Sequence, residues 1–333
     1  MARRILMLLL VALLVVGAVV TIAGGGEDGE DGEAGPKGSA DATCDQVAEP
    51  DGEADLFVAS LAQGETGCFK QGTHTASGVI ELTAPGVTLT SSPGERATLA
   101  GRLVITREAD RATVENLALD GGPGDGPSPT VNASDVVFRG NDVTNGNTGI
   151  CFVLGDDVYG EADRTLIEDN RIHDCGRLPA TNHDHGIYVA HASGTVIRDN
   201  LIYRNADRGV QLYPDADDSL VTGNVIDGNG EGLIISGNDD RASDNNVVED
   251  NLITNSTIRY NVESHWPGPV GEANLVRRNC IFGGVRDDGQ GGIESPAEGF
   301  EALDNLVADP LYVDRAAGNF ELAEDSPCAK LGA

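Results

Sequence analysis

The chain has 333 residues, of which 40% are hydrophobic and only 4% aromatic, and its 54 acids against 22 bases set a formal net charge of −32. That length is ample for a buried core, and so large an acid surplus speaks against nucleic acid as a partner. Six cysteines with no C-x-x-C pair fit disulfides in an oxidising compartment better than a metal site.

In chain order, the first element is a targeting segment. Arg3 and Arg4 precede a mostly apolar run from Ile5 to Ala23. The run is longer than the about 7 to 15 residues of a cleaved signal's apolar core and close to the ~20 that span a bilayer. Residues 1–23 therefore read as a signal peptide or a retained signal anchor, and the positive-inside rule places everything after them outside the cell. The protein is expected to be secreted or anchored at the cell surface, touching the membrane only through this segment. Residues 24–43, rich in Gly and acids without apolar periodicity, read as a flexible linker. From Cys44 onward 48 acids face 19 bases, so the folded part is itself near −29. Such acidity keeps a solenoid soluble, and it would equally suit high salt or bound Ca²⁺.

A repeat begins after the linker. The pattern apolar-x-x-Asn-x-apolar recurs as FRGNDV, IEDNRI, IRDNLI, VTGNVI, VEDNLI and VRRNCI, at Asn141, Asn170, Asn200, Asn224, Asn251 and Asn279. Looser copies add Asn116 and Asn305, and the spacing of 24 to 30 residues is that of a solenoid coil. One complete unit, His185 to Arg208, holds three short strands: HGIYV, TVI and LIY. It has no room for a helix and cannot bury its apolar side alone. Period and strand order predict an all-β fold, a single-stranded parallel β-helix of about 8–10 coils over residues 44–310, with an internal asparagine ladder. The coil geometry pairs sequence neighbours among the cysteines: Cys44–Cys68 at the N-terminal cap, Cys151–Cys175 within one coil, and Cys280–Cys328 at the C-terminal cap of residues 311–333.

The closing stretch DPLYVDRAAGNFELAEDSPCAKLG resembles the end of many secreted right-handed parallel β-helix proteins of the pectate-lyase-like superfamily, departing from them at Cys328. ADLFVASLAQGETGCFKQGTHTASGVIEL resembles their opening, a capping helix followed by a Gly-rich first strand. The resemblance covers roughly residues 54–332. It implies a right-handed solenoid whose outward groove takes sugar chains.

Period-2 alternation after the recurrent Gly sends Ile187, Val210, Leu233, Val262 and Ile293 inward. Their neighbours then form outward columns. One runs Cys151, Tyr188, Gln211, Ile234, Glu263, Glu294; another passes through His185, Arg208 and Glu231; a third through Tyr213, Ser236 and His265. The candidate catalytic set is His185, Arg208, Tyr188 and Tyr213, with His183, Asp184, Gln211, Glu263 and His265 as substrate contacts. Abstracting the proton alpha to a uronate carboxylate needs a cation on the carboxylate, a base and an acid, and these side chains have those capacities. HDHG around His185 resembles the Asp-Pro-His-Asp/Glu motif of mannuronate C5-epimerases at His185 alone, departing from it at the Asp, the Pro and the final acid. His191 is expected on the following turn. Asp215, Asp217, Asp218, Asp239, Asp240 and Asp244 follow the same strand in adjacent coils and are a candidate Ca²⁺ set, although no cofactor is required. Two functions compete: a polysaccharide lyase or C5-epimerase, and a non-catalytic cell-surface β-helix that binds glycan or acts as a scaffold. A monomer is expected in either case.

Overall fold

The computed structural model describes residues 43–50, 52–122 and 126–330. The expected targeting segment, and the linker except for Thr43, lie outside the described residues. Within them no helix is long and apolar enough to cross a membrane.

Three parallel sheets of 11, 8 and 10 strands run the length of the solenoid, and each full coil gives one strand to each. The coil that follows Gly194 is typical: Val196–Arg198, then Leu201–Tyr203, then Arg208–Asp217. Like residues stack on like. Ile167, Ile197, Val221, Val248 and Val276 are aligned in register and fully buried, as are Ile172, Ile202, Ile226, Ile253 and Ile281. β-Branched side chains at the ~4.8 Å strand spacing pack against their own kind in the next coil, which is how strands of three residues acquire a core. Ile187, Val210, Leu233 and Val262 point inward as expected, whereas Ile293 in the last coil is only partly buried.

The corner between the first two strands explains the asparagine repeat. The residue before each ladder position takes a left-handed conformation: Asp169 at φ 55°, Asp199 at 56°, Gly223 at 67° and Asp250 at 58°. Asp and Gly tolerate that region, and the bend turns the following Asn into the solenoid. Each amide Nδ2 donates to the Oδ1 of the next Asn, at 3.0 Å for Asn170 to Asn200 and 2.9 Å for Asn200 to Asn224. The same Oδ1 also accepts the backbone N–H of the coil before it. The ladder runs from Asn141 to Asn305. Asn116 is not part of it. Its φ is 53°, so it fills the left-handed slot, and Leu117 holds the ladder position, with its N–H 3.1 Å from Asn141 Oδ1. Two shorter ladders, Asn205 to Asn229 and Asn246 to Asn274, sit at other corners, both at 2.9 Å. Their spacings of 24 and 28 residues match the main repeat and were legible.

The helix Ala54–Ser60 lies at the N-terminal end, burying Ala54 and Val58 and setting Phe57 edge-on to Phe69 at 5.1 Å. All three disulfides pair as the coil geometry predicts. The last segment does more than close the final coil. An antiparallel pair, Tyr312–Asp314 with Asn319–Leu322, lies back along the 10-stranded sheet. There Phe320 meets Tyr203 at 5.3 Å, Tyr312 reaches Thr254, and Arg315 Nε donates to Asp227 at 2.7 Å.

Candidate active site

The site lies on the outer face of the 8-stranded sheet, over Ile187–Ser193, Arg208–Asp217, Glu231–Ser236 and Val262–His265. Register aligns Tyr188 with Gln211, Ile234 and Glu263, places Arg208 beside Glu231, and sets Ser236 beside His265. The head of that column differs from expectation. Val153, not Cys151, lies beside Tyr188, and Cys151 is buried in its disulfide. The Gly preceding the strand in that coil is followed by two more residues than the repeat suggests, so counting from Gly149 misses the register.

The face hollows into a cleft of about 480 Å³. It gathers His183, His185, Tyr188, Arg208, Gln211 and Tyr213, with Glu263 and His265 toward the C-terminal coils. Asp184 is not among them. It is buried, and Arg177 holds its carboxylate with two bonds of 2.8 and 3.0 Å while Thr181 adds a third. Its role is to fix the loop beside His185.

His185 is only 3% exposed, and its Nδ1 is buried without a hydrogen-bond partner. Burial, then the Arg208 guanidinium, hold its pKa down at about 3, so the ring is neutral at physiological pH. Its edge meets Tyr188 at 5.7 Å, and Tyr188 stacks on Tyr213 at 6.2 Å. Burial chiefly, then Tyr213, push the Tyr188 phenol well above its usual range, so it keeps its proton as a donor.

Arg208 differs from the open fork its position suggests. Its side chain is 7% exposed, and its two terminal nitrogens donate to Asn182, to Oδ1 at 2.8 Å and to the backbone O at 3.2 Å. Its Nε lies 3.0 Å from Glu231 Oε2, but the N–H is not aimed along that line, so the contact is one of charge rather than a hydrogen bond. Sequence reasoning missed Arg259. Its Nε donates to Glu231 Oε2 at 3.1 Å, it also donates to Asn182 Oδ1, and it remains 28% exposed on the cleft wall. It lies in the irregular turn before Val262, where no strand alternation announces it. Glu231 is fully buried. Burial outweighs the two guanidiniums and, with the Glu263 carboxyl adding to it, raises its pKa to about 8. Its Oε1 is buried without a hydrogen-bond partner.

The Asp set does not converge. Asp215 pairs with Arg241 at 2.7 Å, Asp217 accepts the Asp244 N–H, Asp218 accepts from Ser193, and Asp239 and Asp240 point to solvent. Among the described residues no group of three or more His, Cys, Asp or Glu is placed to hold a metal. Asp215, Asp217 and Asp218 are thus engaged by donors of neighbouring coils. His191 also lies outside the cleft, its Nδ1 accepting from Arg241 at 2.8 Å.

Residues 103–265 match the family model described as a right handed beta helix region. The chain folds as a right-handed parallel β-helix. Solved structures similar to this β-helix protein include a mannuronan C-5 epimerase A-module from Azotobacter vinelandii, at TM-score 0.58 and 15% identity, covering 77% of this chain and 70% of that one. A pectate lyase matches at TM-score 0.55 and 12% identity, covering 86% and 91%. An E. coli bacteriophage tailspike protein in complex with a pentasaccharide matches at 0.51 and 13%, covering 76% and 52%. A search of curated protein sequences returns no match.

Proposed function

We propose that this β-helix protein acts on an acidic polysaccharide outside the cell, taking the proton alpha to a uronate carboxylate as a lyase or C5-epimerase does. The observation that carries this reading is the pairing of a buried, neutral His185 with Tyr188 in a cleft walled by two guanidiniums. Arg259, the more exposed of the two, is placed to hold the substrate carboxylate, while Arg208 supplies positive potential from behind. With the carboxylate held, His185 takes the C5 proton. That imidazole is a weak base in the empty cleft partly because Arg208 faces it, and an incoming carboxylate offsets this charge and raises its basicity on binding.

Tyr188 or Tyr213 then serves as the acid. Returning a proton to the opposite face of C5 gives the epimer. Delivering it to the glycosidic oxygen as the C4–O4 bond breaks, with the C5 electron pair forming the C4–C5 double bond, gives the lyase product. Neighbours named for mannuronan and pectate chemistry are in keeping with this reading. Binding without turnover is the second reading, favoured by one observation: Arg208 is already engaged by Asn182 and Glu231.

The test is incubation with a panel of polyuronates in deuterated buffer. Unsaturated-uronate absorbance identifies a lyase, and deuterium at C5 without absorbance identifies an epimerase. Retention on a polyuronate column with neither signal selects the binding reading, and no interaction with any uronate overturns both.

A further inference from the structure

The cleft is not uniform along the solenoid axis, and the asymmetry bears on which glycan fits it. Its N-terminal part, over the coils of Tyr188 and Gln211, carries His183, His185 and the two guanidiniums. Two coils further on, Glu263 and Glu294 line the same cleft. Glu263 sits directly in the column of Tyr188 and Gln211, its side chain only 13% exposed, and Arg259 is 3.9 Å from its Oε1 while reaching back toward Asn182. Glu294 follows in the next coil and accepts from the Ser264 backbone N–H at 2.9 Å. In the N-terminal part stands Gln211, 8% exposed, whose side-chain Oε1 is buried with no donor, and Ile234 separates it from Glu263 in the column. An unpaired acceptor of that kind is satisfied by a sugar hydroxyl, which donates, and not by a carboxylate, which does not.

A homopolyuronate laid along this face would put its first carboxylate at Arg259 and its next ones against Gln211, Glu263 and Glu294. Glu263 and Glu294 offer acceptors only, and the Gln211 carboxamide is the one partner with N–H donors of its own. The domain as a whole, with 48 acids against 19 bases, adds negative potential. We infer that the cleft selects a heteropolysaccharide in which one uronate, held at Arg259, is followed by uncharged sugars whose hydroxyls donate to Gln211, Glu263 and Glu294. This inference rests on the uronate reading above and narrows it.

The experiment compares three size-matched oligosaccharides by calorimetry: a homopolyuronate, an alternating uronate and neutral hexose chain, and a neutral chain. Wild-type protein is expected to bind the alternating chain about five- to tenfold more tightly than the homopolyuronate, with the gap closing at high salt as like-charge repulsion is screened. Glu263→Gln and Glu294→Gln, each checked for an unchanged melting temperature, are expected to strengthen homopolyuronate binding and narrow the gap. Equal or tighter wild-type binding of the homopolyuronate overturns the inference and leaves the uronate reading standing. A gap that neither substitution nor salt alters overturns the carboxylates' role in it. Binding of the neutral chain alone, or of none, sinks the uronate reading and this inference with it.

Discussion

Arg208 lies directly beside Glu231 on the next coil, Nε 3.0 Å from Oε2, with the two side chains 7% and 0% exposed. Truncating Arg208 leaves Glu231 with the Arg259 bond alone and removes both of the Arg208 guanidinium's bonds to Asn182. Arg208→Ala is expected to cost about 1 to 3 kcal/mol in urea unfolding. A loss under ~1 kcal/mol would show that water reaches Glu231.

The pH dependence follows from the same neighbourhood. Glu231 has its folded pKa raised from 4.5 to about 8, so its contribution to stability is complete below 4.5 and disappears as pH rises through 8. His185 has its folded pKa lowered from 6.5 to about 3, so its contribution is complete above 6.5 and is lost as pH falls toward 3. Between pH 6.5 and 8, therefore, Glu231 titrates and His185 does not. His173, raised by Asp142 and Asp174 against its own burial, adds a slope of the same sign. Wild-type stability should fall across this window, with Glu231 contributing at most about 1.4 kcal/mol per pH unit. Glu231→Gln should remove that share, and identical slopes in both proteins would refute the assignment.

The ladder makes an internal comparison possible. Asn200 is 1% exposed and bonded to the coils on both sides, so Asn200→Ala should destabilise by about 1 to 3 kcal/mol. Asn116→Gly keeps the left-handed turn and removes no ladder bond, and it should stay within about 0.5 kcal/mol. Similar losses at both positions would mean that the turn, not the ladder, sets the cost.

For the chemistry, His185→Ala should lower turnover by about 10² to 10⁴ with the fold intact. Arg259→Lys should lower kcat/KM at least about tenfold, since a point charge does not replace a guanidinium fork. Tyr188→Phe and Tyr213→Phe, compared at one pH, identify the proton donor. His191→Ala is the control, its ring engaged by Arg241 outside the cleft. Unchanged rates in His185→Ala on a substrate that wild type turns over would remove the proposed base.

Cys151 and Cys175 close a loop with a sequence separation of 24 within one coil. Replacing both with Ala should cost about 3 to 4 kcal/mol, mainly by freeing the unfolded chain. Peptide mapping without reduction should recover the two as one linked fragment.

The solenoid was readable because its cause is periodic: the left-handed corner residue and the Asn after it recur with every coil, and Asn200 announces itself as plainly as any residue in the chain. The same periodicity misled at Asn116, since Asn suits both the corner and the ladder. Strand alternation placed Tyr188, Gln211 and Glu263 correctly, because register carries one column through successive coils. It was silent on Arg259, which reaches the cleft from an irregular turn, and on how deeply Arg208 sits, which depends on the Asn182 loop folding over it. The Asp turns had the right composition for a cation, but composition does not fix where carboxylates point, and Arg241 claimed Asp215 first.

A stack held by nearest-neighbour contacts frays from its ends. Here the C-terminal segment is fastened at Cys280 through Cys328, yet Arg315 grips Asp227 and Phe320 rests on Tyr203, coils earlier in the stack. The chain runs from Tyr203 straight into Arg208, so this latch is seated on the very coil that forms the wall of the cleft. The terminal coils cannot peel away without first releasing it. A protease that nicks the exposed end therefore meets a column bolted near its middle, and the cleft should be among the last parts to open.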